Sequence, residues 1–259
     1  MVFLIGIALI GLGVFLIFQQ KQLTSKANLM QDTDTTTVEA INENLKEMSS
    51  SFGLGNFSLY SELKGIARTN NPLLSTFSKK PCVYYKTLIT RKYEVLEERR
   101  DSNGNYHKTW ATREDVVSSN EEKLEFELED KTGKILVNMD GASVEASQVF
   151  DTFENGKQSS RFEDLFFPDS HNARTIGFRY TEFAIPQNAP VYVLGDANDR
   201  SGVLKIGRST DREKRYIIST KSEEQMVHEA KSGATMAKYG SWASIVIGIG
   251  VLIYGLMKG

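Results

Sequence analysis

The chain begins and ends in apolar runs without a single charge, and this constrains its fold more than anything between them. Val2–Phe18 (VFLIGIALIGLGVFLIF) is the first run and Ala243–Met257 (ASIVIGIGVLIYGLM) the second. A bilayer core of about 30 Å takes about 20 helical residues. Each run is slightly short, and neutral neighbours such as Gln19, Gln20, Ser241 and Trp242 complete the span. A slightly thin bilayer has the same effect. Trp242 and Tyr254 suit the interfacial belts of a membrane. A buried core helix is the alternative for either run, and a cleaved signal is the alternative for the first. No basic residue precedes the first run, and Phe18-Gln19-Gln20 is not a small-residue cleavage site, so an uncleaved anchor is the better reading. The expectation is two transmembrane helices, at 1–20 and 241–258. Gly6, Gly11 and Gly13, with Ser244 and Gly248, offer small surfaces for helix–helix contact, within the chain or in a homo-oligomer.

Two spans place both termini on one side and the middle of the chain on the other. Lys21, Lys26, Lys231 and Lys238 flank the spans on the domain side, against Lys258 and the amino terminus on the other. Basic residues near membrane ends favour the cytoplasm, so the domain is expected there. Asn56-Phe57-Ser58 is formally a glycosylation sequon, too short a match to move the topology.

About 220 residues lie between the anchors, enough for one large domain or a domain with an appendage. The net charge is -2 with the signs mixed and no long basic run, which argues against a nucleic-acid partner. The single cysteine, Cys82, excludes an intrachain disulfide and a Cys-rich zinc module. It opens a strand pattern and reads as a small buried hydrophobe. A catalytic thiol would need a nearby base, and only His107, His171 and His228 exist.

Residues 21–56 read as a polar linker followed by a helix. Thr37 can cap that helix, which places Val38, Ile41, Leu45 and Met48 on one side before Ser49–Gly55 breaks it. Strand patterns fill residues 57–220: Ser58–Arg68, Val83–Leu96, Tyr106–Val117, Lys123–Asp130, Lys134–Asn138, Arg179–Ile185, Pro190–Gly195, Gly202–Gly207 and Tyr216–Ser219. Alternation is cleanest where Leu124, Phe126 and Leu128 oppose Glu125, Glu127 and Glu129, which predicts one dry and one wet face. Phe150–Asn172 reads as a looser insertion or lid. Ser222-Glu223-Glu224-Gln225 is a capping box opening a helix over 221–240. The predicted fold is mainly β (α+β). It is a small antiparallel barrel or sandwich-like domain between two terminal transmembrane helices, with short flanking helices.

No catalytic constellation stands out. Glu163, Asp164, Asp169 and His171 form a weak alternative site with irregular spacing. Gly202–Ser209 is framed by glycines but lacks the phosphate-loop pattern, and strand turning accounts for it. Tyr84, Tyr85, Tyr93 and Trp110 have cross-strand packing as their ordinary role. Their alternative is a recognition surface that Arg179, Tyr180 and Tyr192 extend, because aromatic residues with arginine often dominate protein contacts. No cofactor and no metal is expected.

Gly65-Ile66-Ala67, Pro72-Leu73 and Pro81-Cys82-Val83-Tyr84-Tyr85 resemble the opening of the GIDE, or "beside a membrane", domain. The similarity continues through Leu128-Glu129-Asp130-Lys131-Thr132-Gly133, Asp140-Gly141-Ala142, Arg179-Tyr180-Thr181-Glu182, Val191–Gly195, and Ile217-Ile218-Ser219 before Ser222-Glu223-Glu224. The family is best known from a mitochondrial membrane-anchored ubiquitin ligase, which carries a RING zinc module after its second anchor. Here no cysteine follows the second run, so the resemblance implies the domain without the ligase activity. Short prokaryotic members look like this chain, which implies a prokaryotic cell membrane. In the mitochondrial relative the equivalent domain faces away from the cytosol, so the resemblance and the lysine count differ on topology.

The reading is a membrane-tethered, non-enzymatic interaction or assembly module whose partners are the bilayer and membrane or membrane-proximal proteins. The alternatives are a membrane-associated enzyme with a site in residues 150–171, or the family's label of ubiquitin transferase.

Overall fold

In a computed structural model that describes residues 2–100, 104–156 and 172–258, both apolar runs are helical and both helices outrun them. Helix α1 spans Val2–Asp32 and the final helix, α3, spans Glu223–Lys258. At 1.5 Å per residue they reach roughly 46 and 54 Å, beyond the hydrocarbon thickness of about 30 Å, so each joins an anchor to a stem. Both are long and apolar enough to cross a membrane. They pack antiparallel. The Ser244 hydroxyl donates to the Leu9 carbonyl at 2.8 Å. A Cβ on Gly6 would lie 2.7 Å from Leu252 and one on Gly13 2.4 Å from Ile245, so both positions need glycine. A Cβ on Gly248 would lie 2.9 Å from Ile10. Gly11 has open space around it and stands outside this contact. Leu4, Ile7, Phe15, Phe18, Val246 and Leu256 are exposed, a continuous apolar surface that fits lipid rather than a protein core.

The sequence reading of residues 21–32 as linker is corrected by the structure, which continues α1 through them. Leu23, Ala27 and Met30 recur at helical spacing; Ala27 and Met30 are buried. Met30 packs with Tyr192, Leu194, Ile217, Met226 and Val227. Burial of that stripe sustains a helix that local preference alone leaves marginal. Helix α3 starts at the expected capping box: Gln225 N–H donates to the Ser222 hydroxyl at 3.3 Å and Ser222 N–H to the Gln225 side chain at 3.1 Å. It then runs unbroken through Gly233 and Gly240. Helix α2, Val38–Phe52, is capped by Thr37, which accepts from Ala40 N–H at 3.2 Å. Val38 and Ile41 are buried and Leu45 and Met48 half-buried, as the periodicity predicts.

Twelve strands follow: β1 (Ser58–Arg68), β2 (Leu73–Leu74), β3 (Pro81–Arg100), β4 (Tyr106–Lys123), β5 (Phe126–Glu129), β6 (Lys134–Val137), β7 (Ser143–Glu145), β8 (Ser147–Asn155), β9 (Ala173–Pro186), β10 (Pro190–Asn198), β11 (Lys205–Gly207) and β12 (Ile217–Ser219). The fold class is the expected one, an antiparallel β-rich domain of barrel type between terminal helices. The chain divides into two compact units. The first is Met1–Lys64, Gly141–Ser143 and Val191–Gly259; the second is Gly65–Asp140 and Val144–Pro190.

In the first unit β10 pairs with β11 (Ala197↔Ile206) and β12 (Val193↔Ile218), and Val191–Asn198 is buried throughout. In the second unit β5 and β6 form a hairpin, with Leu128 opposite Ile135. Phe126 and Leu128 are buried and Glu125 and Glu127 exposed, the predicted alternation. The Asp130 carboxylate closes the turn, accepting from Thr132 and Gly133 N–H at 2.7 and 2.9 Å. Strand β3 runs between β9 on one side and β4 on the other. Of the stretch expected to be loose, Phe150–Asn155 belongs to β8 and pairs with β9. Ladder bonds along β9 order a segment whose own pattern is mixed. The rest of that stretch, 157–171, lies outside the described residues.

Candidate interaction surface on the long hairpin

Strands β3 and β4 pair from Tyr84↔Lys123 to Arg100↔Tyr106. At about 3.3 Å per residue, β3 is roughly 65 Å long. Its first residues are core: Cys82, Val83, Tyr84, Tyr85 and Thr87 are buried. Further along, side chains of β3 are at most half-buried, and β4 is exposed at every position except the half-buried Ala111 and Val117. A sheet that leaves its core shows two wet faces, since successive side chains alternate.

One face carries Arg91, Tyr93 and Asp115. Arg91 lies opposite Asp115 in the ladder. Its guanidinium sits 4.6 Å from the Tyr93 ring centroid and donates to the Thr175 hydroxyl at 2.6 and 3.0 Å. The Tyr93 hydroxyl donates to the Asp115 carboxylate at 2.6 Å, and this bond raises the phenol's pKa. The other face carries Glu94, Trp110 and Arg174. The Arg174 guanidinium stacks 4.4 Å from the Trp110 ring centroid, and its Nε donates to Glu94 at 2.6 Å. Exposed cation–π pairs are worth about 0.5–1 kcal/mol.

The seven aromatic and arginine residues proposed from sequence do not form one patch. Tyr84, Tyr85 and Tyr192 are buried. Burial, then the nearby Glu121, pushes the Tyr84 phenol up to about 12. Tyr85 packs in the cluster of Cys82 and Ala184. Tyr192 donates to Glu62 at 2.9 Å, and burial raises its pKa. Tyr93 and Trp110 occupy opposite faces of the hairpin. Arg179 is held by Asp151 through two bonds of 2.8 and 3.1 Å, which raise its pKa. Tyr180 is half-buried and meets Phe77 edge-on at 5.6 Å. Exposed groups therefore remain at Trp110 and Arg179, with Tyr93 and Tyr180 half-buried.

Sequence reasoning missed the role of a set of buried carboxylates, of which only Glu182 falls in a segment that carries the resemblance. In the first unit, Glu62 accepts from the Thr35 hydroxyl at 2.5 Å, Tyr192 at 2.9 Å and Lys64 at 3.1 Å. Asp199 accepts from Gly55 and Phe57 N–H at 2.7 and 3.0 Å, and Asp196 takes the Ser58 hydroxyl and Arg200. In the second, Glu182 accepts from Phe77 N–H at 2.6 Å, Ser78 N–H at 3.2 Å and the Ser78 hydroxyl at 2.5 Å. Burial pushes the Glu182 carboxyl up, but those donors outweigh it and hold its pKa below the usual range. It thereby clamps a turn in which Lys79 takes a left-handed φ of 54°. All four tie loops or strand ends to the sheet. The Cys82 thiol is buried and its pKa is pushed up to about 11 by burial, the opposite of an activated nucleophile. Glu163, Asp164, Asp169 and His171 lie outside the described residues. Among the described residues no three His, Cys, Asp or Glu side chains gather to hold a metal ion.

Two long apolar terminal helices and the antiparallel domain between them define a two-pass membrane protein with a β-rich domain. The chain belongs to the GIDE family: the family's model, described as E3 ubiquitin ligase, matches residues 94–253. No curated protein and no solved structure matches the chain.

Proposed function

We propose that the protein is a membrane-tethered, non-enzymatic interaction or assembly module that meets its partner through the β3–β4 hairpin. The observation that carries this is the pairing of arginine with the half-buried Tyr93 on one face and with the exposed Trp110 on the other. Aromatic and arginine side chains supply most hot spots of protein contacts. Tethering to a bilayer raises the effective concentration of a membrane-proximal partner. The lysines beside the spans support a domain facing the cytoplasm, and the resemblance to short family members supports a prokaryotic cell membrane. Gly11 and Gly250 each leave open space at which a second copy can approach. The raised Cys82 thiol and the fully engaged buried carboxylates support a non-catalytic role.

Crosslinking mass spectrometry of native membranes tests this. A recurrent neighbour captured by the full chain and lost from a Trp110→Ala/Arg174→Ala variant supports the module. Recovery of the same neighbours by the variant removes the hairpin from the account. Lys108→Cys in a Cys82→Ser background reports the side: protection from an impermeant maleimide in intact cells supports the cytoplasmic placement.

The family's description favours a second reading, ubiquitin transfer. Cys82 is the one cysteine of these 259 residues, fewer than a RING's two zinc ions require. Conjugate formation by the purified chain with activating and conjugating enzymes would establish that reading.

A further inference from the structure

A cavity of about 230 Å³ in the first unit has nine lining residues, of which five are cationic and none acidic: Lys26, Arg208, Arg212, Lys214 and Arg215 provide the charge. Its size falls below the roughly 300–1,000 Å³ of sites for drug-sized ligands and suits a small group. The loop between β11 and β12 supplies four of the cations and α1 the fifth. Several contacts build this arrangement. The Tyr60 hydroxyl donates to the Arg215 carbonyl at 2.7 Å, and Lys214 Nζ lies 5.2 Å from the Tyr60 ring centroid. Arg215 Nη2 donates to the Gln22 carbonyl of α1 at 3.2 Å. Gly141, at φ +75°, gives Arg208 its place: a Cβ there would sit 2.9 Å from Arg208 Cδ. The loop's own acids, Asp211 and Glu213, are not among the lining residues. Asp211 accepts from Glu213 N–H at 2.9 Å. Arg208 and Arg212 are exposed and form no ion pair among the described residues.

Arg208 and Arg212 thus bring two uncompensated like charges to one cavity, which is costly unless an anion neutralises them. Arginine forks match the geometry of phosphate oxygens. The position along α1 names the source of the anion. Gln22 follows the apolar run's last residue, Phe18, by four positions, about 6 Å along the helix. The headgroup layer on each side of a bilayer is roughly 5–7 Å deep. Arg215, bonded to Gln22, therefore stands at headgroup level, and Lys26, about 6 Å further along α1, stands at the outer edge of that layer once Gln19 and Gln20 complete the span. We propose that this cavity binds the phosphate headgroup of an acidic membrane lipid, a role beyond protein contact.

The test uses the full chain in neutral detergent, titrated with short-chain phosphatidic acid, phosphatidylcholine or inorganic phosphate, with bound species counted by native mass spectrometry. The expected result is retention of phosphatidic acid over phosphatidylcholine, weakened about tenfold or more in an Arg208→Gln/Arg212→Gln variant through loss of two charge-assisted contacts. A Lys21→Gln/Lys231→Gln variant, which removes equal charge on the same side of the membrane, keeps wild-type binding. The thermal transition of each variant in neutral detergent, unchanged from wild type, shows that it folds, and the Arg212→Gln single variant repeats the measurement with the least perturbation. Equal lipid binding by Arg208→Gln/Arg212→Gln and wild type overturns the site. Equal weakening by the lysine variant reduces it to diffuse charge. Retention of inorganic phosphate with no retention of phosphatidic acid overturns the lipid assignment in favour of a soluble phosphate.

Discussion

The two units use antiparallel strands for opposite ends. In the first, α1, α3, β10 and β12 all contribute to one core: Met30, Tyr192, Leu194, Ile217 and Met226 are buried together. In the second, β3 is buried near its start, in Cys82–Tyr85 and Thr87, beside Ala184 and Ile185 of β9, and further along the ladder β9 keeps Phe178 buried opposite Arg91. The strands then continue with no buried position at all in β4. The first unit is held by apolar burial. The long hairpin is held by ladder bonds and by cross-strand pairs such as Lys92–Glu114, Arg113–Glu97 and Arg174–Glu94. Such exposed pairs contribute little each. A sheet sustained this way leaves accessible surface for the contact proposed above, whereas the anchor stems of the first unit also pack into its core.

The sharpest way to break this comparison is to cut the core at its helical stem. Met30→Ala should cost about 2–5 kcal/mol, read as a lowered denaturation midpoint in detergent. A cost as small as that of a hairpin substitution would show that the stem of α1 is only a linker. Gly13→Leu comes next. Its new side chain meets Ile245 and the Ser241 carbonyl, so destabilisation of about 1–3 kcal/mol is expected, while Gly11→Leu, in open space, leaves the midpoint unchanged.

Glu182→Gln probes the second unit and should cost about 1–3 kcal/mol, because a buried set of donors loses its charged acceptor. The pH dependence has a definite sign. The folded pKa lies below the ordinary value, so the stabilisation is complete above the unfolded carboxyl's pKa of about 4.3. It fades as pH falls through the lower folded value, and the variant lacks this acid-sensitive segment. Thermal melts of both proteins across acid pH check it. Trp110→Ala should have the smallest effect, about 0.5–1 kcal/mol, since its partner Arg174 keeps Glu94.

Much of the architecture was legible because it rests on local chemistry. The Thr37 cap, the Ser222–Gln225 box, the Asp130 turn and the Phe126–Leu128 alternation all hold in the structure. Strand β1 keeps its predicted bounds. The stem of α1 was hidden because its stripe is three apolar residues among polar ones, and only tertiary burial reveals it. The surface was less legible. The faces of Tyr93 and Trp110 follow from the pairing register, Tyr93↔Arg113 and Leu96↔Trp110, with Val117 of β4 and Ile176 of β9 as extra residues opposite β3, and spacing within one strand does not carry that register. Tyr84 and Tyr85 are adjacent and both buried, because the start of β3 is covered on both sides. The basic cavity is half legible: Arg208, Arg212, Lys214 and Arg215 crowd one loop, but nothing in the sequence brings Lys26 to them.

The most direct test of the hairpin as contact surface is a photo-crosslinker placed at Lys108 or Thr112, on the Trp110 face, and at Thr109 or Arg113, on the Tyr93 face, in the full chain in native membranes. The account predicts a discrete adduct from at least one face, lost on Trp110→Ala or Tyr93→Ala respectively, with the fold's denaturation midpoint nearly unchanged. The absence of any discrete adduct from both faces would contradict it.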